Sequence, residues 1–221
     1  MKVFLLGDST CAAKVPSARP ETGWGECFQK YLKDGWITDN RAINGLSTKD
    51  MIARGLFQVV ADDASAGDIA LIQFGHNDSK IADPTRYSAP WREYIANLVY
   101  MAEKLKAEGV SAVFLTSIAR RRFKEGLIVD THGDYPAAMK AAANQAGCPC
   151  VDLATETMIQ LQKEGDEGSK RYFMNFGPGL YPNYPDGKVD DTHLRPEGAE
   201  WIASLAYREL KRLEILTDVL I

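Results

Sequence analysis

The sequence predicts an α/β fold, a three-layer α/β/α sandwich in which helices cover both faces of a central parallel sheet of about five strands. Short apolar runs alternate with longer amphipathic ones four or five times along the 221 residues. Strands and helices that alternate in this way form parallel sheets, so the order of the segments predicts the class. No linker, charge block or repeat divides the chain, and one domain spanning residues 1–221 is expected.

Five segments have the length and composition of buried strands. Each is short and rich in apolar, β-branched or aromatic residues, and the clearer ones are bounded by Gly, Pro or Asp. In chain order they are Lys2–Leu6, a weaker one at Ile37–Ile43, Asp68–Phe74, Ser111–Ser117 and Pro149–Asp152. Ligands of such folds bind at the carboxyl ends of the strands, so functional residues are expected in the loops that follow these segments.

Helical patterns fill the intervals between the strands. Several have residues that suit helix ends: Pro136 and Pro196 lie in first turns, and Gly109 and Gly147 follow last turns. The predicted helices are Gly25–Lys33, Ser47–Val60, Pro90–Glu108, Asp134–Ala146, Leu153–Lys163 and Pro196–Leu213. Residues 165–192 show no convincing period. We expect a long loop there, and its five aromatic residues favour a functional segment over a disordered linker.

Charge and composition narrow the possible partners. The net charge of -4 and the isoelectric point of about 5.5 argue against a nucleic-acid or membrane-surface partner. No apolar run reaches the roughly 18 residues of a transmembrane helix, and the first residues lack the features of a signal peptide, which indicates a cytoplasmic protein. Cys148 and Cys150 are separated by one residue, a spacing typical of neither redox nor zinc motifs. No metal or other cofactor is expected.

Four polar motifs lie where an α/β fold places its active site. Gly7-Asp8-Ser9-Thr10, Asn44-Gly45-Leu46-Ser47 and Gly75-His76-Asn77-Asp78 follow the first three predicted strands, and Asp190-Asp191-Thr192-His193 precedes the last helix. Taken singly, each is typical of a turn or a helix start. Together they supply a nucleophile, a base, an orienting carboxylate and oxyanion donors, the groups that acyl transfer requires.

A serine hydroxyl needs a base, and His193 is the best candidate of the three histidines because Asp190 precedes it by three residues. In a tight loop this spacing lets the Asp190 carboxylate accept a hydrogen bond from Nδ1–H, which leaves Nε2 free to take the proton of Ser9. Asp191 is the competing partner for the ring, although it lies two positions from His193.

The order of these blocks resembles that of the SGNH (GDSL-type) hydrolases, from residue 4 to about residue 200. The resemblance implies a flavodoxin-like hydrolase fold. Further motifs resemble those of the rhamnogalacturonan acetylesterase branch, whose members remove acetyl groups from pectin. These motifs are Thr10, Asn44-Gly45-Leu46-Ser47-Thr48, Gly75-His76-Asn77-Asp78, Arg120-Arg121-Arg122-Phe123, Gly133-Asp134-Tyr135-Pro136 and Asp190-Asp191-Thr192-His193-Leu194. Secreted members carry a leader that this chain lacks, so we expect a cytoplasmic enzyme acting on imported pectin fragments.

The resemblance assigns the oxyanion hole to the main-chain N–H groups of Ser9 and Gly45 and to the side-chain amide of Asn77. Each assignment is physically reasonable, since Gly45 has no Cβ to obstruct a substrate and Asn77 offers an NH₂ donor. Asp8 is expected to fix the turn around Ser9 by accepting hydrogen bonds from local main-chain N–H groups.

The substrate is expected to be an acetylated oligo- or polysaccharide. Arg121, within the run 120–122, is a candidate to bind the carboxylates of galacturonate, although such a run is also typical of a solvated face. His76, beside the site, is a second candidate substrate contact, whereas His132 is expected at the surface. The alternatives are an esterase for acetylxylan, a short lipid ester or a thioester, and a non-catalytic carbohydrate-binding module.

Overall fold

The computed structural model describes residues 1–221 and contains a five-stranded parallel sheet between two layers of helices. The strands are β1 (Lys2–Gly7), β2 (Ile37–Asn40), β3 (Ile69–Gln73), β4 (Ser111–Leu115), β5 (Phe123–Lys124), β6 (Leu127–Ile128), β7 (Cys150–Val151), β8 (Phe173–Phe176) and β9 (Lys188–Leu194). The helices are α1 (Thr48–Ala53), α2 (Leu56–Asp63), α3 (Ile95–Ala107), α4 (Tyr135–Ala146), α5 (Leu153–Ser169) and α6 (Pro196–Arg212).

The central sheet has the strand order β2-β1-β3-β4-β7, with every neighbouring pair parallel. In the register of the two innermost strands, Leu5 of β1 pairs with Leu71 of β3. All five predicted strands are present, so the predicted fold class is confirmed. This order is the flavodoxin-like arrangement of a doubly wound sheet.

Two apolar cores cover the two faces of the sheet because successive side chains of a strand point to opposite faces. Leu5 and Leu115 belong to the core that α5 and α6 cover, whereas Phe4 and Phe114 belong to the core that α1 to α4 cover. All four side chains are fully buried. Burial of each stabilises the fold by roughly 1.5–3 kcal/mol, so both helix layers are held by apolar packing.

Of the six predicted helices, those at α4 and α6 agree with the structure to within one residue, and the other four differ. The segment predicted as Ser47–Val60 divides into α1 and α2 at Gly55, whose φ of 69° is left-handed. The helix from Pro90 begins with a π-helical turn, and α5 continues to Ser169 across a non-helical Gly165. None of the helices combines the length and the apolar composition needed to cross a membrane.

Two short 3₁₀ turns replace the helix predicted over Gly25–Lys33; they span Trp24–Cys27 and Gln29–Tyr31. The main-chain N–H of Trp24 donates to the main-chain oxygen of Thr10 at 2.9 Å. This segment therefore packs its backbone directly against the turn after β1. A contact between segments of the chain has overridden the local helical pattern, which made the prediction wrong.

The loop predicted over residues 165–192 is also wrong in part, because an antiparallel hairpin of β8 and β9 lies within it. Only the connection between these strands, residues 177–187, lacks regular structure apart from an isolated bridge. Phe173 pairs with Leu194 but Met174 pairs with Asp190, so residues 191–193 form a bulge in β9. The bulge disrupts the alternation by which a strand is recognised in sequence, and it is where the last polar motif lies.

Candidate active site

The turn after β1 places Ser9 at the carboxyl edge of the sheet. The Asp8 carboxylate fixes this turn, since its Oδ1 accepts hydrogen bonds from the main-chain N–H and the hydroxyl of Thr10, both at 2.9 Å. Its Oδ2 lies 3.1 Å from Nδ1 of His76. Burial acts to raise the pKa of Asp8, but the His76 ring and the Thr10 hydrogen bonds outweigh it and lower the pKa to about 2. Asp8 is therefore an ionised acceptor beneath the serine.

The bulged strand β9 carries both groups that activate Ser9. The serine Oγ lies 2.9 Å from Nε2 of His193, and Nδ1 of the same ring lies 2.8 Å from Oδ2 of Asp190. Asp190 Oδ1 accepts the main-chain N–H groups of Thr192 and His193 at 2.9 and 3.0 Å. Side chains three apart in a regular strand point to opposite faces, so the bulge is what brings this carboxylate against this ring.

Asp191, the competing partner for the imidazole, is directed elsewhere. Its Oδ1 accepts hydrogen bonds from Nε of Arg121 at 2.7 Å and from Nδ2 of Asn175 at 2.9 Å. The structure therefore places Asp190, and not Asp191, against His193.

The charge of Asp190 determines which nitrogen of the His193 ring carries the proton. Burial acts to raise the pKa of Asp190, but the hydrogen bond and charge of His193 outweigh it and hold that pKa well below its usual range. Burial likewise acts to lower the pKa of His193, and the Asp190 carboxylate outweighs it and raises the pKa. Because an ionised carboxylate only accepts, Nδ1 must carry the proton and Nε2 is left to accept from Ser9.

Three hydrogen-bond donors at the ends of β1, β2 and β3 are available for an oxyanion. The main-chain N–H groups of Ser9 and Gly45 have no acceptor within the protein. Asn77 Nδ2 donates one hydrogen to the main-chain oxygen of Leu46 at 3.0 Å, which orients the amide and leaves its second hydrogen free. Gly45 has a φ of 78°, a conformation that favours glycine. This donor set suits the developing oxyanion of acyl transfer.

The structure gives Arg121 a different position from the one expected of a substrate contact. Its side chain is 6% exposed and pairs with Asp191 and with Asp166 in α5. The main-chain N–H of Arg121 also donates to the main-chain oxygen of Asp191 at 2.8 Å. Arg121 therefore ties the segment after β4 to the bulge that holds the catalytic candidates, and the structure does not support its contact with substrate.

The two remaining histidines are buried beside the site. His76 is 3% exposed, with Nδ1 against Asp8 and its ring centroid 4.5 Å from that of His132. His132 is 4% exposed, so its expected surface position is wrong, and burial lowers its pKa to about 2. Because its one polar contact faces inward to Asp8, His76 supports the nucleophile turn, and the expected contact with substrate is not supported.

Three cationic side chains lie near the oxyanion donors, and only Arg120 among them belongs to a motif named in the sequence analysis. The guanidinium of Arg86 lies 3.5 Å from the position that a Cβ on Gly45 would occupy, and its Nη groups donate to no protein acceptor. Arg120 donates to the main-chain oxygen of His76 at 3.2 Å and has no carboxylate partner. Partial burial and the charges of Arg86 and Arg120 lower the pKa of Lys80, so the three cations lie near one another. We call these three residues the cationic rim.

The four cysteines are free thiols, and no group of three or more His, Cys, Asp or Glu side chains is arranged to hold a metal ion.

Comparison with known proteins agrees with this arrangement. The model of the GDSL-like lipase/acylhydrolase family matches residues 5–201, which include Ser9, Gly45, Asn77, Asp190 and His193. The chain belongs to this family. It is 39% identical over 214 residues to the rhamnogalacturonan acetylesterase RhgT of Bacillus subtilis (strain 168), covering 96% of this chain and 90% of that protein.

Two further relatives extend the comparison. The probable rhamnogalacturonan acetylesterase YesY of Bacillus subtilis (strain 168) is 29% identical over 220 residues, covering 99% of this chain and 97% of that protein. The crystal structure of protein YXIM_BACsu from Bacillus subtilis shares the fold, with a TM-score of 0.83 and 22% identity. The match covers 97% of this chain, which spans 57% of the YXIM_BACsu chain.

Proposed function

We propose that this protein is a serine esterase that removes O-acetyl groups from pectic rhamnogalacturonan or its oligosaccharide fragments. The observation that carries the proposal is the hydrogen-bonded series Ser9–His193–Asp190, in a chain 39% identical to a relative named as a rhamnogalacturonan acetylesterase. A cytoplasmic location and a single domain over residues 1–221 stay predictions.

In the first half of the reaction, Ser9 attacks the acetyl carbonyl carbon. His193 Nε2 takes the hydroxyl proton as the bond forms, and the carbonyl oxygen becomes an oxyanion facing Ser9 N–H, Gly45 N–H and Asn77 Nδ2. The C–O bond to the sugar then breaks, and the imidazolium returns the proton to the departing sugar oxygen. The products are a free sugar hydroxyl and an acetyl ester on Ser9.

In the second half, water hydrolyses the acetyl-enzyme. His193 Nε2 takes one proton of the water, whose oxygen attacks the acetyl carbon, and the same donors receive the second oxyanion. Ser9 leaves with the proton from the imidazolium, and acetate is released. Asp190 stays ionised throughout. Its carboxylate fixes the tautomer of the neutral ring and stabilises the imidazolium when it forms. Each oxyanion donor is expected to contribute about 2.7–4 kcal/mol of transition-state stabilisation.

The cationic rim supports a substrate that carries carboxylates. Rhamnogalacturonan contains galacturonate, whereas acetylxylan and short lipid esters offer an acetyl or acyl group without this regular charge. Arg86 is the best placed of the rim residues, since its side chain is 36% exposed and only its Nε is paired, with Asp83 at 3.2 Å. Its free Nη groups present the fork that binds a carboxylate through two hydrogen bonds. The role first assigned to Arg121 is therefore proposed for Arg86.

The test compares acetate release from acetylated rhamnogalacturonan fragments, the same fragments with reduced carboxyl groups, and acetylxylan. We expect the native fragments to be the best substrates. Arg86→Ala should lower kcat/KM about tenfold on native fragments, the worth of one charge-assisted hydrogen bond, and should leave 4-nitrophenyl acetate unaffected. Arg92→Ala, in an arginine whose side chain is 80% exposed, is the matched control.

Faster acetate release from acetylxylan than from rhamnogalacturonan would contradict the proposed substrate and favour the other acyl esterase. Equal losses for Arg86→Ala on native and carboxyl-reduced fragments would contradict the role of Arg86 while leaving the esterase itself intact.

A further inference from the structure

A lysine buried beside the nucleophile has no part in the mechanism described above. The side chain of Lys14 is 1% exposed. Its ammonium donates to the main-chain oxygen of Ser9 and to Oδ1 of Asn44, both at 2.6 Å, and forms an ion pair with Oε1 of Glu21 at 2.9 Å. Two of the three hydrogens of the ammonium are therefore bound by uncharged oxygens of two different segments. The group is therefore held in one position, and its charge is balanced by one carboxylate.

Both hydrogen-bond acceptors of Lys14 lie at the main-chain oxyanion donors. Ser9 supplies one donor through its own N–H, and Asn44 immediately precedes Gly45, which supplies another. These residues lie in separate loops, after β1 and after β2. No main-chain hydrogen bond joins Ser9 to Asn44 or Gly45. The Lys14 ammonium is a bridge between the two loops at the level of the donors.

We propose that Lys14 is a positioning residue of the esterase, whose ammonium fixes the separation between the Ser9 and Gly45 N–H groups by holding Ser9 O and Asn44 Oδ1 together. The inference rests on the proposed esterase function and deepens it. Preorganised donors stabilise an oxyanion without reorganisation, so the spacing of the two N–H groups affects the transition state more than the bound ester. The ammonium itself does not touch the reacting atoms through any contact in the structure.

Glu21 is the ion-pair partner of the Lys14 ammonium. Its carboxylate neutralises Lys14, without which a buried ammonium would be strongly disfavoured. Three charged groups act on His193: Asp190 in β9, and Glu21 and Lys14 in the segment after β1. The negative charge of Glu21 acts to raise the pKa of His193, and the positive charge of Lys14 acts to lower it. Removing either member of the pair should therefore displace the pH profile, in opposite directions.

The experiment uses the full chain and 4-nitrophenyl acetate, an ester with no sugar to contact the cationic rim. Lys14→Met removes the ammonium with a side chain of similar length, and Asn44→Ala removes one acceptor while the Lys14–Glu21 pair remains. We expect Lys14→Met to lower kcat about 10- to 100-fold with little change in KM, since a misplacement of about 1 Å at an active site has an effect of that size. Asn44→Ala should lower kcat less, with an unchanged pH profile.

The pH dependence of kcat/KM distinguishes positioning from charge. Lys14→Met should move the acid limb to higher pH and Glu21→Gln should move it to lower pH. The double variant Lys14→Met/Glu21→Gln removes both charges, so its acid limb should return towards that of the wild type while kcat stays low. Lys30→Met removes a lysine from an exposed pair with Glu200 and serves as the control, with wild-type kinetics expected.

The proposal is overturned if Lys14→Met, folded by circular dichroism, retains kcat within twofold of the wild type. If Lys14→Met does not fold, Asn44→Ala decides, and an unchanged kcat in that exposed position overturns the proposal. Recovery of kcat in the double variant would show that Lys14 acts through charge alone, which also overturns it. A wild-type chain that does not hydrolyse the ester would instead contradict the proposed function, so the two failures can be told apart.

Discussion

Replacement of Asp190 by Asn should change the tautomer of His193 while preserving the backbone around it. Asp190 Oδ1 accepts two main-chain N–H groups at 2.9 and 3.0 Å, and Oδ2 lies 2.8 Å from Nδ1 of the ring. The Asn oxygen is needed by the two N–H groups, so its NH₂ must face Nδ1. That nitrogen must then accept, the proton moves to Nε2, and Ser9 no longer has a base.

The size of this effect follows from the role of the carboxylate. In serine hydrolases with this triad, the wrong tautomer lowers kcat about 10⁴-fold, which corresponds to about 5.4 kcal/mol of transition-state stabilisation. KM should change little, because Asp190 is not placed to touch the substrate. The pKa of His193 should also fall, since the carboxylate that raises it is gone. The acid limb of the residual kcat/KM should therefore lie at lower pH than in the wild type.

The assay is the initial rate of 4-nitrophenyl acetate hydrolysis across the pH range, with thermal melts to verify folding. Asp191→Asn is the matched control, because that carboxylate binds Arg121 and Asn175 and not the ring. It should lower the melting temperature and keep the acid limb of the wild type. Similar losses of kcat in the two variants would refute the assignment of Asp190 as the group that orients His193.

Two further predictions concern the oxyanion hole and the base. Asn77→Ala should lower kcat about 10²- to 10³-fold on 4-nitrophenyl acetate with a small change in KM, because one oxyanion donor is lost; a loss below threefold would argue that Asn77 does not face the oxyanion. For the wild type, kcat/KM should rise with pH through one ionisation whose pKa lies above the usual histidine value of about 6.5, because His193 must be neutral to act and Asp190 raises its pKa. A profile that is flat between about pH 5 and about pH 8 would exclude this base.

The sequence predicted the parts of the molecule that depend on local patterns. The five strands of the sheet were recognisable because each is a short apolar run, and α4 and α6 because prolines and glycines mark their ends. Ser9 and His193 were recognisable as a pair because the four polar motifs occur in an order typical of one superfamily. Parallel strands bring the loops that follow them to one edge of a sheet, so the fold predicted that Ser9, Gly45 and Asn77 lie close together.

Other features depend on contacts between distant segments, which no local pattern encodes. The hairpin of β8 and β9 was missed because its bulge at residues 191–193 breaks the alternation of side chains. Arg121 was expected to face the substrate because its position after β4 lies at the correct edge, but Asp191 and Asp166 bind its guanidinium. Whether an arginine finds a carboxylate inside the protein or in a ligand depends on tertiary structure alone.

Arg86 and Lys14 lie beside the site although the sequence did not indicate either of them. Neither lies in a recognisable motif, yet one covers Gly45 and the other holds the turn of Ser9. A long flexible side chain reaches several ångströms from its backbone, so sequence spacing does not predict where its charge lies. The sequence predicted the reacting groups, and the structure was needed to find the residues that surround them.

The most direct test of the account is the Ser9→Ala variant, assayed for acetate release from acetylated rhamnogalacturonan fragments and from 4-nitrophenyl acetate. Loss of one hydroxyl from a residue that is 9% exposed should leave the fold intact by circular dichroism. Both activities should fall to background, because no acetyl-enzyme can form. A folded variant that retains a substantial share of either activity would contradict Ser9 as the nucleophile.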